Sequence, residues 1–411
     1  MNATNVTAKP KTLKHFFTDN FDLPLGIAVI TLLAIGFLMV YSASWQYLVN
    51  NGLSQYYTVS HQIAWAIAGI LVAIFLTFFD YHRIRRWVVV IMIVTLLMLL
   101  GVLIFGQSAG GVPQRSLFNG SIQPSEFAKL VIIIYLCFWL YSKHDVLDQW
   151  SFGLIPLMTI LGITAGLILA QPDISAAATI ILLGGILFFI AGGKLSQILT
   201  VVVVAGILGF LIVLVYKNAR VRLADYWSGI QNPEHASDQV KWSLEAIING
   251  GFFGAGLGRS TTKFIGLPVA QSDSIFAVLT EELGLLGAFF VIALYLVILW
   301  RGLTISYRAK DDLGKWLAAG ITLWIFSEAA INIGTVVNLI PVAGNALPLI
   351  SAGGSSMITI LAGVGILMGI ARNSKLTKSA SEGSSRGQVV DLRRGDRRGS
   401  ISRPVDPTGT H

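Results

Sequence analysis

Ten separate apolar runs, each long enough to cross a bilayer, constrain this chain more than any other feature. They lie at 23–43, 61–79, 87–106, 124–142, 153–170, 174–192, 197–216, 275–300, 315–339 and 351–371. A transmembrane helix needs about 20 such residues, because the hydrocarbon core is ~30 Å thick and a helix rises ~1.5 Å per residue. Lipid offers backbone groups no partner, so chains cross it as helices or as closed barrels. Runs of this length and spacing read as helices. Composition agrees. Only 12% of the 411 residues are charged and 54% are hydrophobic, where a soluble domain carries about 25% charged residues. The expected fold is an all-α polytopic membrane protein of about ten transmembrane helices.

Charge placement sets the expected orientation. The net charge is +8, which in a soluble chain would suggest nucleic acid. Here Lys and Arg collect in alternate short loops: Lys9, Lys11 and Lys14; Arg83, Arg85 and Arg86; Lys143; Lys194; and Arg301, Arg308, Lys310 and Lys315. The intervening loops are poor in both: 45–60 carry none and 107–123 carry only Arg115. The positive-inside rule therefore places both termini in the cytoplasm, and no nucleic-acid partner is expected. The run from Leu23 is too long for a cleaved leader and reads as the first span. The one cysteine, Cys137, sits in an apolar run, excludes an internal disulfide framework and reads as a packing residue.

The chain divides into a cytoplasmic segment 1–22, a membrane domain 23–371 and a tail 372–411 rich in Ser, Gly, Arg and Asp, which is expected to be disordered. Within the membrane domain, 217–273 is the one long extracytoplasmic loop, between spans seven and eight. It holds Lys217, Arg220, Arg222, Lys241, Arg259 and Lys263, but long loops cross regardless of charge. Residues 237–248 place Val240, Leu244, Ile247 and Ile248 on one helical face, with Ser237 as N-cap and Gly250-Gly251 as stop. That helix is expected along the membrane surface or against the helix ends.

Polar residues at membrane depth are costly and mark candidate function. Gln123-Pro124-Ser125-Glu126 opens the fourth span, and Glu126 and Lys129 share a helical face, either as a self-neutralised structural pair or as the wall of a substrate cavity. Asp173, after Gln171-Pro172, is placed to cap the sixth span. The stretch from Gly254 to Asp273 sets glycines, Arg259 and Lys263 before one carboxylate at a helix entrance, a pattern suited to a phosphate-bearing substrate. Asp273 reads either as a base held ionised by the helix dipole or simply as a cap. Pro341 to Ser356, with Gly344, Pro348, Ser351, Gly353 and Gly354, predicts a broken or re-entrant segment buried in protein, or else a small-residue packing interface.

In their joint order these motifs resemble the SEDS (shape, elongation, division and sporulation) family, the FtsW and RodA type proteins, over nearly all of the ten-span region. The resemblance rests on Met39-Val-Tyr-Ser-Ala-Ser44, Gln123-Pro-Ser-Glu126 with Lys129, Gln171-Pro-Asp173, Gln239 with Ser243, and Gly250-Gly251 through Gly258 with Lys263. It continues in Leu267-Pro268 through Asp273, Glu281-Glu282, and Leu347-Pro348 through Ser356. The chain departs where the family has Arg-Trp before Gln123, where it has Glu and His between Pro268 and Asp273, and where Ala352 replaces a Tyr. Met39 to Ser42 and Leu347 to Ser351 lean toward the division type.

The resemblance implies a peptidoglycan glycosyltransferase that polymerises lipid II with a class B penicillin-binding transpeptidase. Asp273 is then the catalytic base. The pyrophosphate would be held by Lys263, Arg259, Arg115, Arg220 and Arg222, in falling order. Gln123, Glu126, Lys129, Gln239, Ser243 and Ser351 are further substrate-side candidates. The resemblance fixes no cofactor; a divalent ion, Mg or Mn, is compatible with phosphoryl chemistry. The alternatives are a lipid II flippase or transporter, and a non-catalytic scaffold for the transpeptidase.

Overall fold

The computed structural model describes residues 21–105, apart from 51 and 53, and 123–391. Among them every regular element is a helix: α1 Leu23–Asn50, α2 Tyr57–Phe78, α3 Val88–Phe105, α4 Pro124–Lys143, α5 Ile155–Ala170, α6 Ile174–Ile190 and α7 Leu195–Val215. They are followed by α8 Lys217–Gln231, α9 Asp238–Gly250, the short α10 Thr262–Ile265, α11 Ile275–Tyr307, α12 Asp312–Val336 and α13 Gly354–Asp391. Nine apolar stretches among the described residues reach spanning length, and α6, at 17 residues, is a shorter apolar helix. Each expected span has its counterpart, and the chain is a multi-pass membrane protein.

The helices differ in how much protein surrounds them. The spanning part of α13 is 89% buried and that of α7 only 6%, so α13 is central and α7 peripheral. Small residues let α13 approach α2 closely. A Cβ on Gly69 would meet the side chain of Leu361, and one on Gly365 would meet the backbone of Ala73. Thr77 donates to the Gly365 carbonyl at 3.3 Å. Without a hydrophobic drive between lipid-embedded helices, such packing is what associates them. The tail expectation changes here: α13 continues past Arg372 to Asp391, because extending a formed helix costs far less than nucleating one.

Two polar bridges tie α1 to α11. At one end Arg301 forms a 2.5 Å ion pair with Asp22, the residue before α1. At the other, Ser42 donates to Glu282 at 2.5 Å. At the Arg301 end of the bundle, Tyr81 and His82 of the short helix Tyr81–Arg86 bind the two carboxylate oxygens of Asp311 at 2.5 and 2.9 Å.

The helix α11 is broken at Gly284, whose φ of 73° and ψ of −176° are not helical. A break exposes backbone groups of both halves, and the loop after α9 satisfies them. The amides of Ala255 and Gly256 donate to the carbonyls of Glu281 and Glu282, while those of Leu285 and Leu286 donate to the carbonyls of Gly251 and Phe252. Gly254, at φ 84°, lies so close that a Cβ would overlap the Glu282 carbonyl. The glycine run that looked like a phosphate cradle in the sequence therefore splices a broken helix.

The large loop is folded. In α9 the buried face is Val240, Ser243, Ala246 and Gly250, pressed against α11, and Ile248 is 77% exposed. The expected face of Val240, Leu244, Ile247 and Ile248 is rotated because Gly250 packs on the Thr280 and Glu281 backbone, an approach only small residues allow. Ser237 occupies the N-cap position but its hydroxyl makes no cap bond. Residues 337–353, between α12 and α13, are irregular, with Leu347, Leu349 and Ile350 fully buried. This is the broken segment expected, and it survives at depth because protein encloses it.

Candidate active site

Four helix N-termini meet at one cavity. Gln123 is the N-cap of α4, Asp173 of α6, Asp273 lies one residue before the N-cap of α11, and Gly353 to Ser356 open α13. Gln123, Asp173, Asp273, Gly353, Ser355 and Ser356 line a cavity of about 210 Å³ together with Glu126, Lys129, Gly344 and Asn345. The convergence is local in origin: Pro124 and the Pro172 turn start α4 and α6, and glycines start α13. Helix N-termini present unpaired N–H groups and a partial positive charge, which suits anionic groups.

Asp173 caps α6 as its position suggests, accepting from the Ala176 amide at 3.2 Å. Its other oxygen accepts from Gln123 Nε2 and Ser125 Oγ, both at 3.2 Å, which locks α4 to α6 under the cavity. Asp273 is half-buried. Its carbonyl accepts from Asn332 Nδ2 at 2.8 Å, and the same nitrogen donates to the Asn345 carbonyl at 2.6 Å. One amide thus joins the base of α11 to the broken segment. Gly344, at φ 69°, faces the Asp273 carboxylate, which a Cβ there would touch at 3.5 Å. Ser351, a substrate-side candidate from the sequence, is buried and does not line the cavity; it donates to the Ser272 carbonyl at 2.6 Å and accepts from the Leu347 amide at 2.7 Å. Its role here is to shape the segment.

The Glu126–Lys129 pair is a triad. Lys129 Nζ lies 2.8 Å from Glu126 and also contacts Glu328 of α12. Lys129 and Glu328 are buried. Sequence reading passed over Glu328, although a carboxylate within an apolar span is the signal that could have found it.

Several expected pyrophosphate ligands lie elsewhere. The Lys263 side chain is only 1% exposed, paired to Glu282 at 2.6 Å and donating to Ser42 at 2.9 Å. It closes a bridge between loop, α1 and α11 and is not in the cavity; the buried Glu282 demands a cation. Beside it Glu281 accepts from the hydroxyls of Ser260, Thr261 and Thr262 and from the backbone amides of Thr261 and Thr262. Arg259 and Arg220 are exposed, the latter bonded to the Leu214 carbonyl. Arg222 and Gln239 line a second cavity. Ser243 is buried within α9 and donates to the Gln239 carbonyl. Arg115 lies outside the described residues. Among the described residues no three His, Cys, Asp or Glu side chains come close enough to form a metal-holding cluster.

Comparison with known proteins gives a consistent result. Residues 24–376 match the family FTSW_RODA_SPOVE, described as "Cell cycle protein". A "Probable peptidoglycan glycosyltransferase FtsW" of Trichlorobacter lovleyi is 36% identical over 88% of this chain and 96% of its own length. "Stage V sporulation protein E" of Bacillus subtilis is 34% identical over 86% and 98%. Among solved structures, one described as "Structural coordination of polymerization and crosslinking by a peptidoglycan synthase complex" has a TM-score of 0.70 at 22% identity, over 86% of this chain and 98% of that one. The "Rod shape determining protein RodA" of Thermus thermophilus has a TM-score of 0.63, also at 22% identity, over 86% and 97%. These two share the fold. With the family matched across all ten apolar helices, the chain belongs to the FtsW/RodA/SpoVE family of cell cycle proteins.

Proposed function

We propose that this chain is a peptidoglycan glycosyltransferase that polymerises lipid II in the bacterial cytoplasmic membrane, with both termini cytoplasmic and the cavity facing outward. The names of its relatives support the reaction class. The observation that carries the reading to a site is Asp273 in the wall of a polar cavity ringed by four helix N-termini. In the reaction an acceptor sugar hydroxyl attacks the anomeric carbon of a second lipid-linked saccharide. The bond to pyrophosphate breaks, the leaving group takes the electron pair, and the hydroxyl proton passes to Asp273. A carboxylate just before a helix N-terminus is favoured in its charged form, as a base requires.

The leaving pyrophosphate needs compensation for its charge. With Lys263 committed to Glu282 and Lys129 to Glu126 and Glu328, that role falls to the amides opening α4, α6 and α13 and the hydroxyls of Ser355 and Ser356. The isoprenoid tail lies in a groove between spans. The partner is a class B penicillin-binding transpeptidase, in line with the synthase complex that shares this fold. A division-type role is favoured by the FtsW relatives.

The test is Asp273→Asn, purified with its transpeptidase and given labelled lipid II. Polymerisation should fall by roughly 10²- to 10⁴-fold, the usual contribution of a general base. Polymer at the wild-type rate would remove Asp273 from the role.

A further inference from the structure

The wall that carries Asp273 has a second polar cavity behind it. It measures about 200 Å³ and is lined by Arg222, Asp225 and Tyr226 of α8, Ser237 and Gln239 at the start of α9, and Asn338. The two cavities are separated by single residues. Gln239 Nε2 donates at 3.1 Å to Ser274, the neighbour of Asp273. Arg222 donates at 3.2 Å to the carbonyl of Val342, two residues before the Gly344 that faces the Asp273 carboxylate.

The lining selects a ligand class. One guanidinium and one carboxylate balance, and the guanidinium is already bonded to Val342, which does not suit a pyrophosphate. The remaining polar groups are hydroxyls and amides, able both to donate and to accept. Val240 and Val342 complete the lining with apolar surface. A sugar ring presents this combination, with hydroxyls at its edge and C–H bonds on its faces. The volume is below the ~300–1,000 Å³ of pockets that enclose drug-sized molecules, so one ring of a longer saccharide fits and a whole lipid-linked unit does not.

A separate observation comes from Ser237. It holds the N-cap position of α9 without capping it. Its Oγ is buried with no hydrogen-bond partner. Buried hydroxyls without partners are costly and uncommon, and this one belongs to a residue lining the cavity.

We infer that this cavity is a second saccharide subsite, holding a sugar ring of one substrate while the reacting sugar of the other lies at the Asp273 cavity. The inference rests on the polymerase reading above: joining two saccharides requires a place for each on either side of the base. Gln239 is then the link between the subsite and the turn that carries the base.

The experiment uses the full chain with its transpeptidase and has a binding arm and a kinetic arm. Cys137 is the one native cysteine and is buried, so Asp225→Cys gives a single reactive thiol in the subsite and Glu234→Cys an exposed control. The probe is the soluble disaccharide-peptide without lipid or pyrophosphate, at saturating concentration. It should slow modification of the Asp225→Cys thiol by a small thiosulfonate reagent at least threefold and leave the control unchanged. An unchanged rate, or a thiol that never reacts because the cavity is sealed, overturns the inference. In the kinetic arm Ser237→Ala should raise KM for lipid II by roughly three- to tenfold, the worth of one hydrogen bond, with an unfolding midpoint matched to wild type. An unchanged KM also overturns it. Absence of polymer from the wild type would sink the polymerase reading instead, and the thiol-protection result would still decide whether the cavity binds sugar.

Discussion

Alanine at Gly254 strikes both cut ends of α11 at once. Its φ of 84° lies in the left-handed region, where a side chain costs about 1–2 kcal/mol. The new Cβ would also overlap the Glu282 carbonyl and press on the Gly284 amide. Relieving an overpacked contact of this kind costs a further ~1–3 kcal/mol. The sum, roughly 2–5 kcal/mol, is a large share of the ~5–15 kcal/mol that holds an ordinary domain together. Gly258 supplies the control: its φ is 78°, but nothing lies within 4 Å of a Cβ there, so Gly258→Ala carries only the first ~1–2 kcal/mol. Hydrogen exchange of the Leu285 and Leu286 amides, which donate into the splice, reads the event directly, and the thermal unfolding midpoint in one detergent reads its global cost. Gly254→Ala should lower the midpoint clearly more than Gly258→Ala and speed exchange at both amides. Equal behaviour of the two variants, with both amides still protected, would refute the splice.

Other perturbations follow from the same structure. Lys263→Met leaves Glu282 buried without its cation and should destabilise by about 3–5 kcal/mol, whereas Lys263→Met combined with Glu282→Leu should recover most of the loss; a single variant as stable as wild type would contradict the pairing. Asn332→Leu breaks the two bonds that fix Asp273 to the broken segment, and lipid II turnover should fall about tenfold or more with only a small rise in KM. His82 titrates at the other end of the bundle. Partial burial alone would lower its pKa, but the hydrogen bonds its ring donates to the Asp80 and Asp311 carboxylates outweigh that and raise it. Stabilisation from a raised folded pKa is full below the unfolded value of ~6.5 and is lost as pH rises through the folded value. Unfolding midpoints of wild type and His82→Asn should therefore differ at pH 6 and converge at alkaline pH.

The spans were legible because twenty-residue apolar runs have one physical solution in lipid. The broken segment 341–356 was legible for a related reason, since Pro341, Pro348 and three glycines cannot continue a helix. Asp173 as a cap and Asp273 at the helix entrance followed from local rules. What sequence could not show was pairing across helices. Glu328 and Lys129 are 199 residues apart, and Lys263 meets Ser42 across 221, so nothing near Lys263 reveals that its charge is already matched. The glycines from Gly250 to Gly258 were read for the ligand they might cradle, when the partner they approach is the backbone of another helix. The face of α9 was misjudged for the same reason: Gly250, the closest contact, carries no hydrophobicity to be counted.

The two bridges between α1 and α11 have a bearing on the membrane itself. Asp22 and Ser42 are twenty positions apart, and Glu282 and Arg301 nineteen, so each pair of anchors spans about 30 Å at ~1.5 Å per residue. That equals the hydrocarbon thickness of a typical bilayer. With this stretch set across a bilayer, each bridge would fall at a water–lipid boundary, where its polar groups need no passage through oil. The two helices thus carry a fixed gauge of bilayer thickness, and a thinner or thicker membrane must bend to the protein, or tilt it, before either bridge can slip by a turn.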